Sequence, residues 1–463
     1  MKRPIEHRVS HDAPPSPAEG GASVYDVVII GGGASGLAAA ITSARSGART
    51  AVIERDIAAG LGILATGNGR CNISNAHLDP RRYRHPDAVR HLFGTAPERD
   101  IEAFLASLGI AVAEEGEGRL YPITRRAESA RDALLGACDR AGVDIIPCAE
   151  LERVAGVHQG ACRLIVSVPS APLSHKRGRD AKAETRNARK VLASAARRER
   201  LLTARSVILA CGGSSEGSCR ILGLPHLPET PVLCPIAGTL EVRADSALKR
   251  LDGLRVEAML TLMRDGAAIA FEQGEVLFRP YGISGIAAFN LSRRIEAGDV
   301  IELDLFPNSD DRALERMLCD RVEAVGPFMG DPRWFDGMLA RPLAEVVDEA
   351  TAVDARPLGR IASLLHRLRL RVSGTTEHSQ AQVRRGGIPI DAVDLETMAV
   401  SPRPADAAAG IDSLFACGEA IDIDADCGGY NLAWAWLSGI RAGGGAARSA
   451  LPNDPASHEE THA

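Results

Sequence analysis

The apolar positions of this chain follow two periods, and the change from one to the other marks its parts. Near the start, Val27, Val28, Ile29 and Ile30 form an uninterrupted apolar run, which predicts a strand buried on both faces. The run enters Gly31-x-Gly33-x-x-Gly36, a small-residue helix follows, and a second apolar run from Thr50 to Ile53 ends on Glu54. Strand, glycine turn, helix, strand and terminal acid, in that order, predict a dinucleotide-binding βαβ unit. Gly31 permits the tight turn, Gly33 lets the backbone approach a pyrophosphate, and Gly36 lets the helix lie close on the strand. Ala34 and Ser35 open the helix, whose free N–H groups and dipole favour the phosphates. Glu54, with Arg55 beside it, is placed to meet the ribose.

Two further apolar runs end on glycine turns. One passes through Val207 and Ile208 to Ala210 and Gly212; the other is Leu414, Phe415 and Ala416, followed by Gly418 and Glu419, with a helix expected to open at 428–431. Between the first unit and these runs, 60–75 is a glycine- and asparagine-rich loop, and 87–108 reads as helices with a core stripe of Leu92, Phe93, Ile101, Phe104, Leu105 and Leu108. From about Leu224 strict alternation takes over (GTLEVRA, RVEAMLTLM, AAIAFEQ, GEVLFRP) and predicts an antiparallel β unit, and 310–370 reads as mainly helical. The expected organisation is a disordered tail over 1–22, the dinucleotide domain over 23–222 and 386–450, an inserted β domain over 223–309, a helical subdomain and return strand over 310–385, and a polar tail over 451–463.

Composition changes this picture little. A net charge of −6 over 463 residues gives no global attraction to nucleic acid or to an anionic membrane. The expectation is a small-molecule substrate, with neither nucleic acid nor membrane as partner and no oligomeric state implied. The ten cysteines are scattered without CxxC or Cys/His metal spacing, so no metal is expected and a reduced, cytoplasmic setting is the simpler reading. The N-terminal residues lack the apolar core of a signal peptide. The one strongly basic stretch, about 170–200, has no aromatic residues for base stacking and reads as a solvated insertion at a hairpin tip rather than a nucleic-acid arm.

The segments LATGNGRCNISN, LYPITRRAESARDALL, LFRPYGISGIAAFNLS, QAQVRRGGI and ACGEAIDIDADCGGYNLAWAWLSG together resemble the YhiN-type, BaiN-like NAD(P)/FAD-dependent oxidoreductases, over about 24–447. The three glycine-bearing strand ends likewise resemble the signature segments of the two-dinucleotide-binding flavoproteins. The resemblance implies an α/β fold: a Rossmann-like FAD-binding domain of the GR2 type, interrupted by an inserted antiparallel β domain and a small helical subdomain. It implies FAD as cofactor, with NADH or NADPH as a transient electron donor, since no second Rossmann unit is present. Members of this family include a reducer of carbon–carbon double bonds in bile-acid intermediates and proteins with an aminoacetone-oxidase label. The expected activity is therefore reduction of an electron-poor double bond in a hydrophobic, steroid-like molecule. The alternatives are an amine or aminoketone oxidase and a non-catalytic redox sensor; a flavoenzyme of RNA modification is a weaker variant, which the net charge opposes.

Carried over residue by residue, Thr66, Gly67, Asn68, Arg70 and Asn72 lie on the loop beside the pyrophosphate or flavin, Leu151 offers backbone to the adenine, and Glu419 meets the ribityl region. Gly429, Tyr430 and Asn431 form the helix N-terminus aimed at the flavin pyrimidine, where negative charge develops on reduction. Leu61 and Gly62 stand where the family carries basic residues. Tyr281 offers a phenol as proton donor and, with Asn72, is the catalytic candidate. Cys71 reads as a packing residue with a redox role as the alternative, His378 as a weaker catalytic candidate, and Arg125 and Arg126 as possible anion contacts. Trp434 and Trp436 fall on different helix faces, so only one can face the flavin.

Overall fold

The computed structural model describes residues 23–173, 181–244, 246–351, 358–376, 381–401 and 413–451. The first unit follows the sequence pattern: β1 (Ser23–Ile30), α1 (Ala34–Arg45) and β2 (Thr50–Glu54), with the strands parallel and Ile30 paired to Ile53. A loop of 3-10 turns over 61–69 leads to β3 (Ser74–Asn75), α2 (Pro86–Phe93), α3 (Pro97–Ser107), β4 (Val112–Glu115) and β5 (Arg119–Pro122). The last of these pairs with both β3 and β4 in a small separate sheet. Then come α4 (Ala127–Arg140), β6 (Asp144–Pro147), β7 (Glu150–His158), β8 (Ala161–Pro169), α5 (Ala181–Ser194) and β9 (Arg197–Leu209). The basic insertion sits, as expected, at the tip of a hairpin, since β8 and β9 pair antiparallel up to Pro169 and Arg197, and its described part carries the helix α5, which was not expected. Ala188 of α5 is buried and Arg189 reaches Asp56, so tertiary contact with the strand end at β2 fixes it.

After α6 (Glu216–Leu222) the chain leaves through β10 (Leu227–Val232) into β11 (Ile236–Leu240), α7 (Ala247–Arg250), β12 (Arg255–Arg264), β13 (Ala267–Arg279), β14 (Gly282–Ser284), α8 (Ile286–Ser292) and β15 (Val300–Asp304). Helices α9 (Asp311–Val325), α10 (Arg341–Ala350) and α11 (Leu358–His366) follow. Next, β16 (Leu368–Thr375) pairs with β15 and β11, closing the alternating stretches into a six-stranded barrel of order β11-β14-β13-β12-β15-β16. Closure leaves the barrel no open edge and gives it a core of its own, with Leu260, Phe278, Ile301 and Leu370 fully buried.

The chain returns through β17 (Val383–Gly387), antiparallel to β10, and ends with β18 (Leu414–Ala416) and α12 (Tyr430–Ala450). The main sheet has seven strands, β6-β2-β1-β9-β8-β7, with β18 on β9. Register places Ile30 beside Leu209, and Leu209 beside Ala416. The three glycine turns therefore leave from the same end of three adjacent parallel strands, although Gly31 and Gly418 are hundreds of residues apart. Helix α12 packs on α1 through glycines: a Cβ on Gly439 or Gly443 would lie 2.5 or 2.4 Å from backbone oxygens of α1. Among the described residues no helix is long and apolar enough to cross a membrane, and no group of three or more His, Cys, Asp or Glu is placed to hold a metal.

Candidate functional site

At the carboxyl ends of β1, β9 and β18 lies a crevice of about 610 Å³, within the range of cofactor sites and at the position where open α/β sheets bind ligands. Gly31, Gly33, Ala34, Ser35, Glu54, Arg55, Thr66, Leu151, Ala210, Gly212, Glu419 and Asn431 of the expected set line it. Gly36, Gly67, Asn68, Arg70, Asn72, Gly418, Gly429, Tyr430 and Tyr281 do not line it directly.

The geometry fits a dinucleotide. Gly33 caps α1 without a side-chain hydrogen bond, no acidic residue stands in the first turn, and a Cβ on Gly33 would meet nothing within 4 Å. The unpaired N–H groups of the helix therefore face an open cradle. Gly36 allows the close crossing beneath it, since a Cβ there would lie 2.0 Å from the Gly31 carbonyl oxygen. At the adenosine end, Glu54 accepts from Gly32 N–H (2.9 Å) and Asp56 N–H (2.8 Å), which holds its carboxylate at the crevice wall. Asp56 in turn accepts from Arg189 of α5 (3.0 and 3.1 Å), so the basic insertion buttresses this end.

At the other end, Glu419 accepts from Arg384 N–H at 2.7 Å. Burial, reinforced by Glu229, pushes its carboxyl up to about 7 against the opposing Arg384 hydrogen bond. This has a consequence for the flavin-free protein. A carboxyl whose folded value exceeds its ordinary 4.5 contributes stability that is lost as pH rises from there through about 7. Glu419→Gln should therefore flatten the decline in unfolding free energy, measured with urea between pH 4 and 8, by at most about 3 kcal/mol because crevice water screens the group. An unchanged slope would show that the Glu419 carboxyl titrates in the folded apoprotein at its ordinary value, and that burial does not raise it.

Residues 60–75 act as a bracket. In its hydrogen-bond-satisfying orientation, the Asn72 amide accepts from Gly429 N–H (3.1 Å) and donates to the carbonyls of Leu120 (3.2 Å) and Ser74 (3.0 Å). Asn72 thereby ties the loop to the start of α12. Arg70 turns to Glu115 (2.5 Å) and lies over the Tyr121 ring at 4.4 Å. Cys71 is fully buried, and burial pushes its thiol up to about 11, as suits a packing residue. Arg125 pairs with Glu115 at 3.3 Å and Arg126 with Glu128 at 3.6 Å.

Helix α12 opens where two glycines with positive φ, Gly428 and Gly429, turn the chain; a Cβ on Gly429 would lie 2.2 Å from the Ser74 carbonyl oxygen. Asn431 closes the preceding loop, accepting from Ala425 N–H (2.9 Å) and donating to its carbonyl (3.0 Å). Tyr430 is directed away, its ring edge-on to Tyr83 and below the Arg82 guanidinium. Trp434 lines the crevice and donates to the Gly418 carbonyl (3.0 Å), whereas Trp436 donates to that of Ile73 (2.8 Å), so one indole faces the site and the other the core. Tyr281 lies between β13 and β14 with its carbonyl accepting from Gly238 N–H. His378 lies outside the described residues.

Missing from the expected set are Asp422, Asp424 and Asp426, all buried. They alternate with Ile423 and Ala425, and Ile423 lines the crevice. Asp422 meets Arg84 (3.1 Å) and Gly386 N–H (2.9 Å), and Asp424 meets Arg385 (2.9 Å) and Arg293 (2.5 Å). Asp426 meets Arg293 and, at 3.5 Å, Arg82. Burial pushes the Asp424 carboxyl up, but Arg385 and Arg293 outweigh it and hold it below the usual carboxylate range. The signal was present as a period-2 run of acids next to a glycine turn, a pattern that demands buried cations on one face. Gln382 and Val383, from the return out of the barrel, also line the crevice. Val383 packs there with Val232 and Leu233, against which Phe289 and Cys427 lie.

The model of the HI0933-like protein Rossmann domain matches residues 25–445, and the chain belongs to this family of flavin-dependent oxidoreductases. A 3-dehydro-bile acid delta(4,6)-reductase of Clostridium scindens is 28% identical over 449 residues, covering 90% of this chain and 98% of the relative. Ribosomal RNA dihydrouridine synthases of Haemophilus influenzae and Escherichia coli are 23% and 24% identical, each covering 89% of this chain and 96% of its own length. The cofactor that fits the crevice is FAD.

Proposed function

We propose that this HI0933-like protein is a cytoplasmic FAD-dependent reductase of a carbon–carbon double bond conjugated to a carbonyl, in a hydrophobic small molecule, with NADH or NADPH as electron donor. The observation that carries this reading is the apolar wall at the barrel side of the crevice. Val383 faces the crevice and belongs to a patch with Val232, Leu233, Phe289 and Cys427, a surface suited to an apolar substrate. The name of the Clostridium relative supports it. Ten free cysteines, seven of them buried, suit a reducing compartment. Bound FAD supplies hydride transfer between a nicotinamide and the conjugated alkene. The chain's own part is to hold the cofactor at Gly33, Glu54 and Glu419, to present N–H donors at the start of α12, and to exclude water with the barrel-side wall.

Anaerobic mixing with NADH and with NADPH should bleach the flavin, and a steroidal enone should restore its colour. If neither nucleotide reduces the flavin, the scheme is wrong; peroxide formation from aminoketones without reoxidation by enones would identify an oxidase instead. A second reading rests on the two relatives named for dihydrouridine synthesis, since the uracil 5,6 double bond is also conjugated to a carbonyl. The net charge of −6 weighs against a polyanionic substrate. Loss of dihydrouridine from ribosomal RNA in a strain lacking this protein, with enones inert, would select that reading.

A further inference from the structure

One helix of the barrel, α8, reaches across to the flavin site. Three of the buried residues of α8, Ala287, Ala288 and Leu291, anchor it in the barrel core. From that anchor, two side chains three residues apart reach into the Rossmann domain. The Asn290 Oδ1 accepts from Cys427 N–H at 2.8 Å, while its Nδ2 donates to Glu272 of β13 at 3.1 Å. Arg293, at the C-terminal cap of the helix, donates to the Asp424 carboxylate (2.5 Å), the Asp424 carbonyl (3.0 Å), the Arg82 carbonyl (3.0 Å) and the Asp426 carboxylate. Both side chains are at least nine-tenths buried. Their target is the backbone of 424–427, directly before the two positive-φ glycines that aim α12.

We infer that Asn290 and Arg293 are positioning residues through which the barrel sets the direction of the α12 N-terminal N–H groups, and so the reduction potential of the bound flavin. The physical basis is that a helix N-terminus acts on charge only while its donors point at it, and its effect falls off within one turn. From the Rossmann side this loop is held by Asn72 on Gly429 and by Asn431 on Ala425; from the barrel side it is held by Asn290 and Arg293. Removing the barrel-side grip leaves the donors in place but no longer fixed. Negative charge gathering at the pyrimidine end on reduction is then less well stabilised, and the oxidised form gains relative to the reduced form. The inference rests on FAD occupying the crevice with its pyrimidine end at the start of α12, where Asn431 and Leu432 line it, and is independent of which substrate is reduced.

The test uses flavin-loaded protein and a reference dye during slow anaerobic reduction. Asn290→Leu keeps the volume but neither hydrogen bond, and Arg293→Lys keeps the charge but cannot span the four acceptors. Both should shift the enzyme–dye equilibrium constant about tenfold toward oxidised flavin, the order of a helix-terminus contribution in a partly buried site and about 30 mV for two electrons. Where a variant binds FAD too weakly to stay loaded, the ratio of its dissociation constants for reduced and oxidised FAD reports the same quantity and should rise about tenfold. A purely structural role would weaken both redox forms alike. Variants whose dye equilibrium, or whose ratio, stays within about twofold of wild type would overturn the inference.

Discussion

Gly31→Val should purify without flavin colour. Gly31 has φ +110°, a region that a β-branched residue does not adopt, and a Cβ there would lie 2.4 Å from the Ala210 carbonyl oxygen. Ala210 donates its N–H to the Ile30 carbonyl at 2.8 Å, so relief of the clash means parting the ends of β1 and β9, between which the crevice opens. Strain of this kind costs about 1–3 kcal/mol before the clash is counted, and FAD affinity should fall by about a hundredfold or more. Titration of the apoprotein with FAD, followed by flavin fluorescence, measures it. Gly33→Ala makes the paired comparison: with φ −78° and open space around the Cβ, it should cost the apoprotein no more than about 1 kcal/mol, the loss of a favourable N-cap residue, while weakening FAD. Stoichiometric flavin in the valine variant would mean that the cofactor does not use this turn.

The largest stability effect is expected at Arg293. Arg293→Met leaves Asp426 with Arg82 alone at 3.5 Å and takes one of two guanidinium partners from Asp424. Removing one member of a buried ionic network costs about 3–5 kcal/mol, because the remaining charges stay desolvated. The sign with pH follows from Asp424, held below the usual carboxylate range: its contribution is present above the unfolded value and lost as pH falls through the folded one. The gap between wild type and variant should therefore be widest near neutrality and narrow in acid. Guanidinium unfolding at several pH values reads both. A gap under about 1 kcal/mol at pH 7 would show that water reaches the three aspartates.

The dinucleotide half of the site was legible because its requirements are local. A glycine turn, the helix after it and an acid at the next strand end stand in fixed order, and each is dictated by backbone sterics or by a phosphate. Adjacency of Gly31, Gly212 and Gly418 was legible only through resemblance, since nothing local pairs strands separated by the barrel. Asn72 and Tyr281 show the limit. Both are residue types that can donate to a substrate, but their surroundings are set by partners distant in sequence: Asn72 is bonded to Gly429, and Tyr281 is not among the residues that line the crevice. The aspartate comb was passed over for the same reason, its cations lying on three separate segments, at Arg82 and Arg84, at Arg293 and at Arg385. Alternation predicted the strands of the barrel but not its closure, because β16 arrives only after three helices.

The antiparallel pairing of β10 with β17 bears on how the chain folds. Parallel pairing of β18 with β9 joins Leu414 to Val207 across the whole inserted region, a contact whose loop entropy and contact order are high for an unstructured chain. Once Val232 and Val383 are zipped together, the same contact closes a much shorter effective loop. The barrel and its ribbon are therefore expected to form first and the seventh strand of the sheet to dock last, so that α12 and its N–H donors assemble only on a completed insertion.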